Sequence, residues 1–254
     1  KNTIREEEDS KKIQVEFVSA NPTGPLHVGH GRGAIYGDVI SKLLEKKGHK
    51  VQKEYYVNDA GRQIDILTAS VYLRAINIED NIFPESAYRG KYIKEIAKNA
   101  NLQEALSIDD LFKSLPDDEE EKIDKIISHL KSTSEEDWQS IKKVSLDSVL
   151  SSIKKDLEDF GVTFDNWFLE SSLLGADSKI DAAVQQLHSN NLIDNRDGNI
   201  WFKSSDFGDD KDRVLIRADG RQTYFASDVA YHKDKLDRSF DEIINIWGSD
   251  HHGY

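Results

Sequence analysis

The sequence predicts an α/β fold: a Rossmann-like parallel sheet with crossover helices, which also carries a helical insertion at about residues 80–155. Apolar patterns typical of strands and helices alternate between Val15 and Leu73, and this alternation favours a parallel sheet. After Gly90 the sequence has no glycine until Gly161, while apolar residues keep helical spacing. Strand-like segments return near Phe160, which indicates that a helical stretch interrupts the sheet domain.

The first half of the sheet is predicted from two strands and two helices. A short buried strand at Val15–Val18 leads into the turn 21–25, whose proline and glycine residues exclude a helix. A second strand is predicted at Val51–Val57 and a helix at Arg62–Leu73. Between the strands, a helix from about His30 to Lys47 is predicted by apolar side chains at helical spacing, namely Ile35, Val39, Leu43 and Leu44.

The remainder of the chain gives weaker but usable patterns. Inside the insertion, the acidic run Asp117–Glu121 is interpreted as a solvated face or a helix start rather than a site. Further on, Gly198–Phe202 and Val214–Arg217 are predicted to pair as a hairpin, and Asp219–Gly220 to form a tight turn. The segment Ile243–Trp247 is predicted to be a final buried strand.

The composition excludes several classes of protein. The chain has 254 residues with a net charge of −13, 32% charged residues and no cysteine. The net charge argues against a surface that coats nucleic acid, and the lack of cysteine excludes disulfides and thiolate metal sites. No apolar run approaches the roughly 18 residues that cross a bilayer, and the charged N-terminus lacks the core of a signal peptide. We therefore expect a cytoplasmic protein with no membrane partner.

A phosphate site is predicted where the first strand gives way to the first helix. A helix N-terminus offers free N–H groups and the positive end of its dipole to an anion. His27 and His30 are three residues apart, so both imidazoles can face one side and stabilise charge in a transition state. Gly29 would let an adenine or ribose approach the backbone. The same two histidines could instead be surface residues or zinc ligands, although no third ligand stands at motif spacing.

Residues 27–30 resemble the HIGH signature of class I aminoacyl-tRNA synthetases, with Val28 in place of isoleucine. Longer blocks resemble the arginine-specific members of this family, and they lie in order across residues 13–66 and 160–254. The blocks are Val15–His30, Tyr56–Gln63, Trp201–Leu215 and Asp219–Ala230. The resemblance implies that residues 1–254 form part of a class I catalytic domain, including the insertion.

The resemblance implies an arginine site, and the chemistry of a guanidinium agrees with it. A guanidinium is best held by paired carboxylates, and the family pattern gives this role to Glu16 and Asp228, with Tyr224 beside them. Asn21 matches the position that contacts the backbone end of the amino acid. Without the resemblance, Glu16 and Asp228 would be interpreted as solvated polar residues.

The resemblance also implies an ATP site. His27, Gly29 and His30 would meet the nucleotide, with the two histidines holding phosphates. Nucleotides bind at the carboxyl ends of parallel strands, which makes Gly248, Asp250 and His251 candidates for the ribose and adenine. Mg²⁺ is expected on the ATP phosphates, and no metal site of the protein itself is predicted. The pair of adjacent histidines at 251 and 252 and the aspartate-rich loop 209–212 stay open as cation sites or as solvated polar residues.

The implied activity is ATP-dependent ligation of L-arginine to tRNA(Arg). The lysine-rich KMSKS loop is missing, and Gly24 stands where some arginine enzymes place a substitute lysine. Methionine is absent where about 5 would be usual. We therefore expect a fragment that is inactive, or nearly so, alone. The alternatives are another HxGH nucleotidyltransferase, or a non-catalytic synthetase-like module that binds arginine or RNA.

Overall fold

The computed structural model describes residues 10–100, 102, 108–175 and 177–248. The chain forms two compact units. The sheet unit comprises the described residues of Lys1–Ser19, Arg32–Val57 and Phe164–Tyr254, and the helical unit comprises those of Ala20–Gly31 and Asn58–Thr163. Each unit is described by itself.

All strands in the described residues belong to the sheet unit. They are β1 (Lys12–Phe17), β2 (Lys50–Val57), β3 (Asn166–Leu169), β4 (Ile193–Arg196), β5 (Asn199–Phe202), β6 (Arg213–Ile216) and β7 (Glu242–Ile246). The helices are α1 (Val28–Lys46), α2 (Arg62–Ala75), α3 (Lys91–Ala97), α4 (Asp109–Lys113), α5 (Glu119–Thr133), α6 (Glu135–Asp159), α7 (Lys179–Ser189) and α8 (Tyr224–Asp237).

The principal sheet is parallel and has the order β3-β2-β1-β7. Strand β1 lies between β2 and β7, so the chain order reverses at β1, as it does at the ligand-binding crevice of doubly wound folds. The predicted α/β class with a parallel sheet is confirmed. Strand β1 ends at Phe17, because Val18 and Ser19 take left-handed φ values of 67° and 43°.

Helix α1 is present as predicted, at Val28–Lys46. The apolar side chains of Ile35, Val39 and Leu43 are exposed, whereas the buried residues of the helix are small or polar: Ala34, Gly37, Asp38 and Ser41. The reason is the ring of Phe17 in β1. A Cβ atom built on Gly37 would lie 2.1 Å from Cγ of Phe17, so only a residue without a side chain fits there.

A second, antiparallel sheet has the order β4-β5-β6. It contains the predicted hairpin pair β5–β6, while β4 had not been predicted. The predicted turn is present, with Gly220 at φ 81° and its N–H donating to the carbonyl of Arg217 at 2.8 Å. This sheet shares a core with α7 and α8 that includes Leu173, Ile180, Leu215, Ala230 and Tyr231.

Strand β7 was expected to be buried, and the structure corrects this. Its first residue is exposed and the other four are half-buried. In the described part of the chain β7 pairs with β1 on one side only, so an edge position explains its exposure.

In the helical unit, α2 is buried along most of its length and α3 to α6 supply the helices of the predicted insertion. Helix α5 begins at Asp118, whose side chain accepts hydrogen bonds from the N–H groups of Glu120 and Glu121 at 3.0 and 2.9 Å. The acidic run is therefore a helix start, as the sequence predicted. The apolar residues expected on this helix are buried, namely Ile123, Ile126, Ile127 and Leu130. The limits of the insertion stay a prediction.

Replacing Gly37 by alanine should destabilise the protein. The added methyl would meet the Phe17 ring, and overpacking of this kind costs about 1–3 kcal/mol, which outweighs the gain of up to about 1 kcal/mol in helix propensity. Gly33→Ala on the same helix is the matched control, because a Cβ at Gly33 meets nothing within 4 Å, and it should stabilise slightly. Urea unfolding measures the free energy of unfolding of both variants. Equal effects of the two substitutions would contradict the packing explanation.

Candidate functional site

A row of polar side chains crosses the parallel sheet of the sheet unit. Register pairs Glu16 in β1 with Glu54 in β2 and with Asn245 in β7, and pairs Glu54 with Asn166 in β3. Side chains at matched register lie on one face of a sheet. Glu16 and Glu54 are 5% and 0% exposed, so two carboxylates are buried side by side and each needs a partner.

The partners of Glu54 come mainly from helix α8. Arg238 donates to both carboxylate oxygens, at 2.5 and 2.8 Å, and the Tyr231 hydroxyl donates at 2.6 Å. Asn166 donates at 2.6 Å. Burial alone would raise the pKa of Glu54, but the hydrogen bonds from Arg238, Tyr231 and Asn166 outweigh it and hold the pKa below its ordinary value.

Glu16 has its own buried cation. Lys235 of α8 donates to one Glu16 oxygen at 2.6 Å, and the Ser19 hydroxyl donates to the other at 3.0 Å. The interpretation of Glu16 as a solvated strand residue is therefore wrong. Sequence reasoning missed Lys235, because a lone lysine in an amphipathic helix is usually exposed.

Helix α8 also carries the other residues predicted for arginine. It begins after Thr223, whose side chain accepts a hydrogen bond from the N–H of Ala226. Tyr224 and Asp228 are four residues apart and so lie on one side of the helix. Tyr224 is exposed at 62%. Asp228 is half-buried and borders an apolar cavity of about 470 Å³ between α7 and α8.

The hydroxyl of Tyr56 shows which carboxylates lie together. Burial raises the pKa of Tyr56, and the negative charges of Glu170, Asp228 and Glu16 raise it further. The two carboxylates predicted for arginine therefore lie near one hydroxyl, joined by Glu170, which is 7% exposed. Sequence reasoning missed Glu170. Its position directly after β3 could have indicated it, because the carboxyl ends of parallel strands meet at one edge.

The predicted phosphate-binding histidines lie in the helical unit. The rings of His27 and His30 stack with centroids 3.7 Å apart. The N–H of Gly29 donates to Nδ1 of His27 at 3.1 Å, and the N–H of His27 donates to Nδ1 of His30 at 3.2 Å. Because both Nδ1 atoms are acceptors, each neutral ring carries its proton on Nε2 and can donate it. Burial and the charge of His27 lower the pKa of His30.

Gly29 is needed for this arrangement, since a Cβ there would lie 2.9 Å from Cε1 of His27. Asn21 is exposed in the turn before the histidines, and Gly248 is exposed after β7 in the sheet unit. Asp250 and His251 lie outside the described residues.

The described residues contain no group of three or more histidines, aspartates or glutamates placed to hold a metal ion. In the aspartate-rich loop, Asp209 pairs with Arg213 and Asp212 pairs with Arg196. No helix in the described ranges combines the length and apolar character needed to cross a membrane.

The ion pair of Glu54 should make stability depend on pH. Because the folded pKa lies below the ordinary 4.5, the ion pair stabilises the fold fully above that pH and less as the pH falls through the folded value. Glu54→Gln removes the buried carboxylate that Arg238 contacts and leaves Arg238 paired only with Asp234, at 3.0 Å, so it should cost about 1–3 kcal/mol at pH 7. The difference in the free energy of unfolding between the parent and Glu54→Gln, measured with urea, should become smaller below pH 4.5. The control is Glu45→Gln, because the side chain of Glu45 is exposed. A difference in unfolding free energy that stays constant with pH would refute the ion pair as a source of stability.

The stacked histidines predict an unusual titration. In ring nitrogen-15 NMR spectra, His30 should titrate below its ordinary value of 6.5, with the proton on Nε2 at neutral pH. His27→Ala removes one of the two causes and should move the His30 midpoint upward, though not fully to 6.5, because burial is the larger cause. An unchanged midpoint in His27→Ala would contradict the coupling.

Curated arginine–tRNA ligases are similar to this chain in sequence. The curated arginine–tRNA ligase of Acinetobacter baumannii is 46% identical over 273 residues, covering 96% of this chain and 45% of that protein. The ligase of Psychrobacter cryohalolentis is 47% identical over 269 residues, covering 97% of the chain and 44% of that protein. The chain thus spans about half the length of these curated relatives.

Solved structures of arginyl-tRNA synthetases are also similar to this chain. A Campylobacter jejuni protein assigned as an arginyl-tRNA synthetase superposes with a TM-score of 0.78 at 39% identity, covering 99% of this chain and 51% of that one. The Thermus thermophilus arginyl-tRNA synthetase shares the fold, with a TM-score of 0.62 at 21% identity, over 91% of this chain and 37% of that one. The family profile for the catalytic domain of class I (R) tRNA synthetases matches residues 1–254, and the chain belongs to that family.

Proposed function

We propose that this chain is the core of an enzyme that activates L-arginine with ATP and transfers it to tRNA(Arg). The observation that carries the proposal is the burial of Glu16 and Glu170, with half-buried Asp228, as carboxylates whose charges all act on Tyr56. A guanidinium is a planar cation with five N–H donors, and carboxylates are its best acceptors. Family membership supports the same substrate.

For arginine recognition, Asp228 and Glu16 would accept hydrogen bonds from the guanidinium, and Glu170 joins them. Tyr224 stands four residues before Asp228 on the same side of α8 and would contact the side chain of the substrate. Asn21 would contact the backbone end of the amino acid. A site that offers hydrogen-bonding groups to a polar substrate discriminates strongly against analogues that lack it, because its buried groups are then left unpaired.

For the chemical step, the carboxylate of arginine attacks the α-phosphorus of ATP, and pyrophosphate leaves with its bonding electrons. The tRNA ribose hydroxyl then attacks the arginyl carbonyl, and AMP leaves. His27 and His30 would donate their Nε2–H groups to phosphate oxygens as charge develops. Gly29, Gly248, Asp250 and His251 would hold the nucleotide. Mg²⁺ on the phosphates would neutralise part of their charge.

A non-catalytic arginine- or RNA-binding module is the competing function. Such a module needs the acidic pocket, but it has no need of two histidines that both carry their proton on Nε2. Here Nδ1 of both His27 and His30 accepts a hydrogen bond from a backbone N–H group, which favours that tautomer. Binding of arginine without binding of ATP, measured by calorimetry, would favour the module. We place the enzyme in the cytoplasm, where tRNA is charged.

The substitution Asp228→Asn should weaken arginine binding. Loss of one charge leaves the bound cation partly unpaired, which costs on the order of 2–5 kcal/mol. Calorimetry on the full-length protein measures arginine affinity, and an aminoacylation assay with tRNA(Arg) measures the activity. The matched control is Asp237→Asn on the same helix, because Asp237 is exposed and pairs with Lys233. Parent-like arginine affinity in Asp228→Asn would show that this carboxylate does not bind the substrate.

A further inference from the structure

Lys235 is a fully buried lysine, with 0% of its surface exposed. Its ammonium donates to Oε2 of Glu16 at 2.6 Å and to Oδ1 of Asn245 at 2.7 Å. It also lies 4.2 Å from the centroid of the Tyr231 ring. Burial of an ammonium is costly unless charged and hydrogen-bonding partners replace water. The position of Lys235 is therefore determined by these partners.

The Lys235 contact leaves Glu16 able to bind a substrate. One Glu16 oxygen accepts from Lys235 and the other from Ser19, whose hydroxyl oxygen in turn accepts from the N–H of Tyr56 at 3.1 Å. An ionised carboxylate has about four acceptor positions. Two of them orient Glu16, and the others can accept guanidinium hydrogen bonds.

Lys235 is also linked, through Asn245 and His232, to the backbone of Asp228, the other residue proposed to bind the guanidinium. Because Oδ1 of Asn245 accepts from Lys235, its Nδ2 group points towards Nε2 of His232, 3.2 Å away. That nitrogen must then be an acceptor, so Nδ1 of His232 carries the proton and donates to the carbonyl of Asp228 at 2.8 Å. A chain of hydrogen bonds thus runs from Glu16 to the backbone of Asp228.

Resting on the proposed function, we propose that Lys235 is a positioning residue that keeps Glu16 ionised and aligned for the arginine guanidinium. Its role follows from its surroundings, which are mostly negative. Arg238, which directly follows α8, is engaged with Glu54 and Asp234. Glu16 interacts with Lys235 and Tyr231 on α8 and with Tyr56 on β2, and Glu54 is its register partner. Glu170 and Asp228 also act on Tyr56, and His232 contacts Asn245, the second partner of Lys235.

Without the ammonium, the buried Glu16 would retain a proton to a higher pH, because burial and neighbouring negative charges both disfavour its ionised form. A protonated Glu16 accepts fewer hydrogen bonds and carries no charge. Arginine affinity would then depend on pH, falling as the pH falls. The guanidinium itself stays charged throughout this range.

The experiment measures the arginine dissociation constant of the full-length protein by calorimetry from about pH 6 to about pH 8.5, below the titration of most lysines. Lys235→Gln keeps a hydrogen-bonding side chain but removes the charge. It should bind arginine more weakly, and the loss should grow by up to about tenfold per pH unit as the pH falls. Lys235→Arg should keep the flat profile of the parent. Combining Lys235→Gln with Glu16→Gln should give weak binding that no longer varies with pH.

The matched control is Lys179→Met. Lys179 pairs with Asp234 of the same helix α8, so its loss also removes an ion pair from α8 but leaves Glu16 untouched, and it should behave as the parent. Thermal unfolding checks that each variant is folded, and Lys235→Met replaces Lys235→Gln if the latter is not.

Two results would overturn the positioning role. These are parent-like affinity in Lys235→Gln, or a loss of affinity that is equal at every pH, since the latter is what loosened packing alone would give. A parent protein that binds no arginine would instead refute the proposed function, and this inference with it.

Discussion

The two buried ion pairs between helix α8 and the parallel sheet are the constraint on which the sheet unit depends. Lys235 and Arg238 lie three residues apart and meet Glu16 and Glu54, which are register partners on adjacent strands. One helix is thus fixed to two strands at two points. The same fixation sets the rotation of α8, and therefore the direction in which Asp228 faces.

Buried ion pairs of this kind are a poor source of stability, because desolvation consumes most of the attraction between the charges. Their value here is geometric. Apolar packing of α8, through residues such as Ala226 and Ala230 in the core it shares with α7 and the second sheet, tolerates small rotations. A pair of matched charges does not, since a rotation by one residue would separate both buried carboxylates from their cations. This argument concerns alignment of the site rather than the strength of the fold.

Local patterns in the sequence were sufficient for β1, α1, β2, α2 and the β5–β6 hairpin, the turn at Gly220 and the helix start at Asp118, but not for β4, α7 or α8. They failed where a residue's role is set by a distant partner. The apolar spacing of α1 does not reveal that small residues form its buried face, where only Gly37 fits against the ring of Phe17. Lys235 lies 219 residues from Glu16, and no periodicity can reveal such a pairing. The family pattern supplied Glu16 and Asp228 but not Glu170.

The proposed reaction sets two opposite electrostatic demands. The carboxylates meet one of them and the histidines meet the other. A cationic amino acid needs negative charge, which the sheet unit concentrates in Glu16, Glu170 and Asp228, with Lys235 offsetting part of it. ATP brings negative phosphates, which need hydrogen-bond donors. Neutral histidines with Nε2–H groups supply such donors. The lowered pKa of His30 and the backbone bonds to both Nδ1 atoms hold that state, so electrostatic balance follows from local geometry at each position.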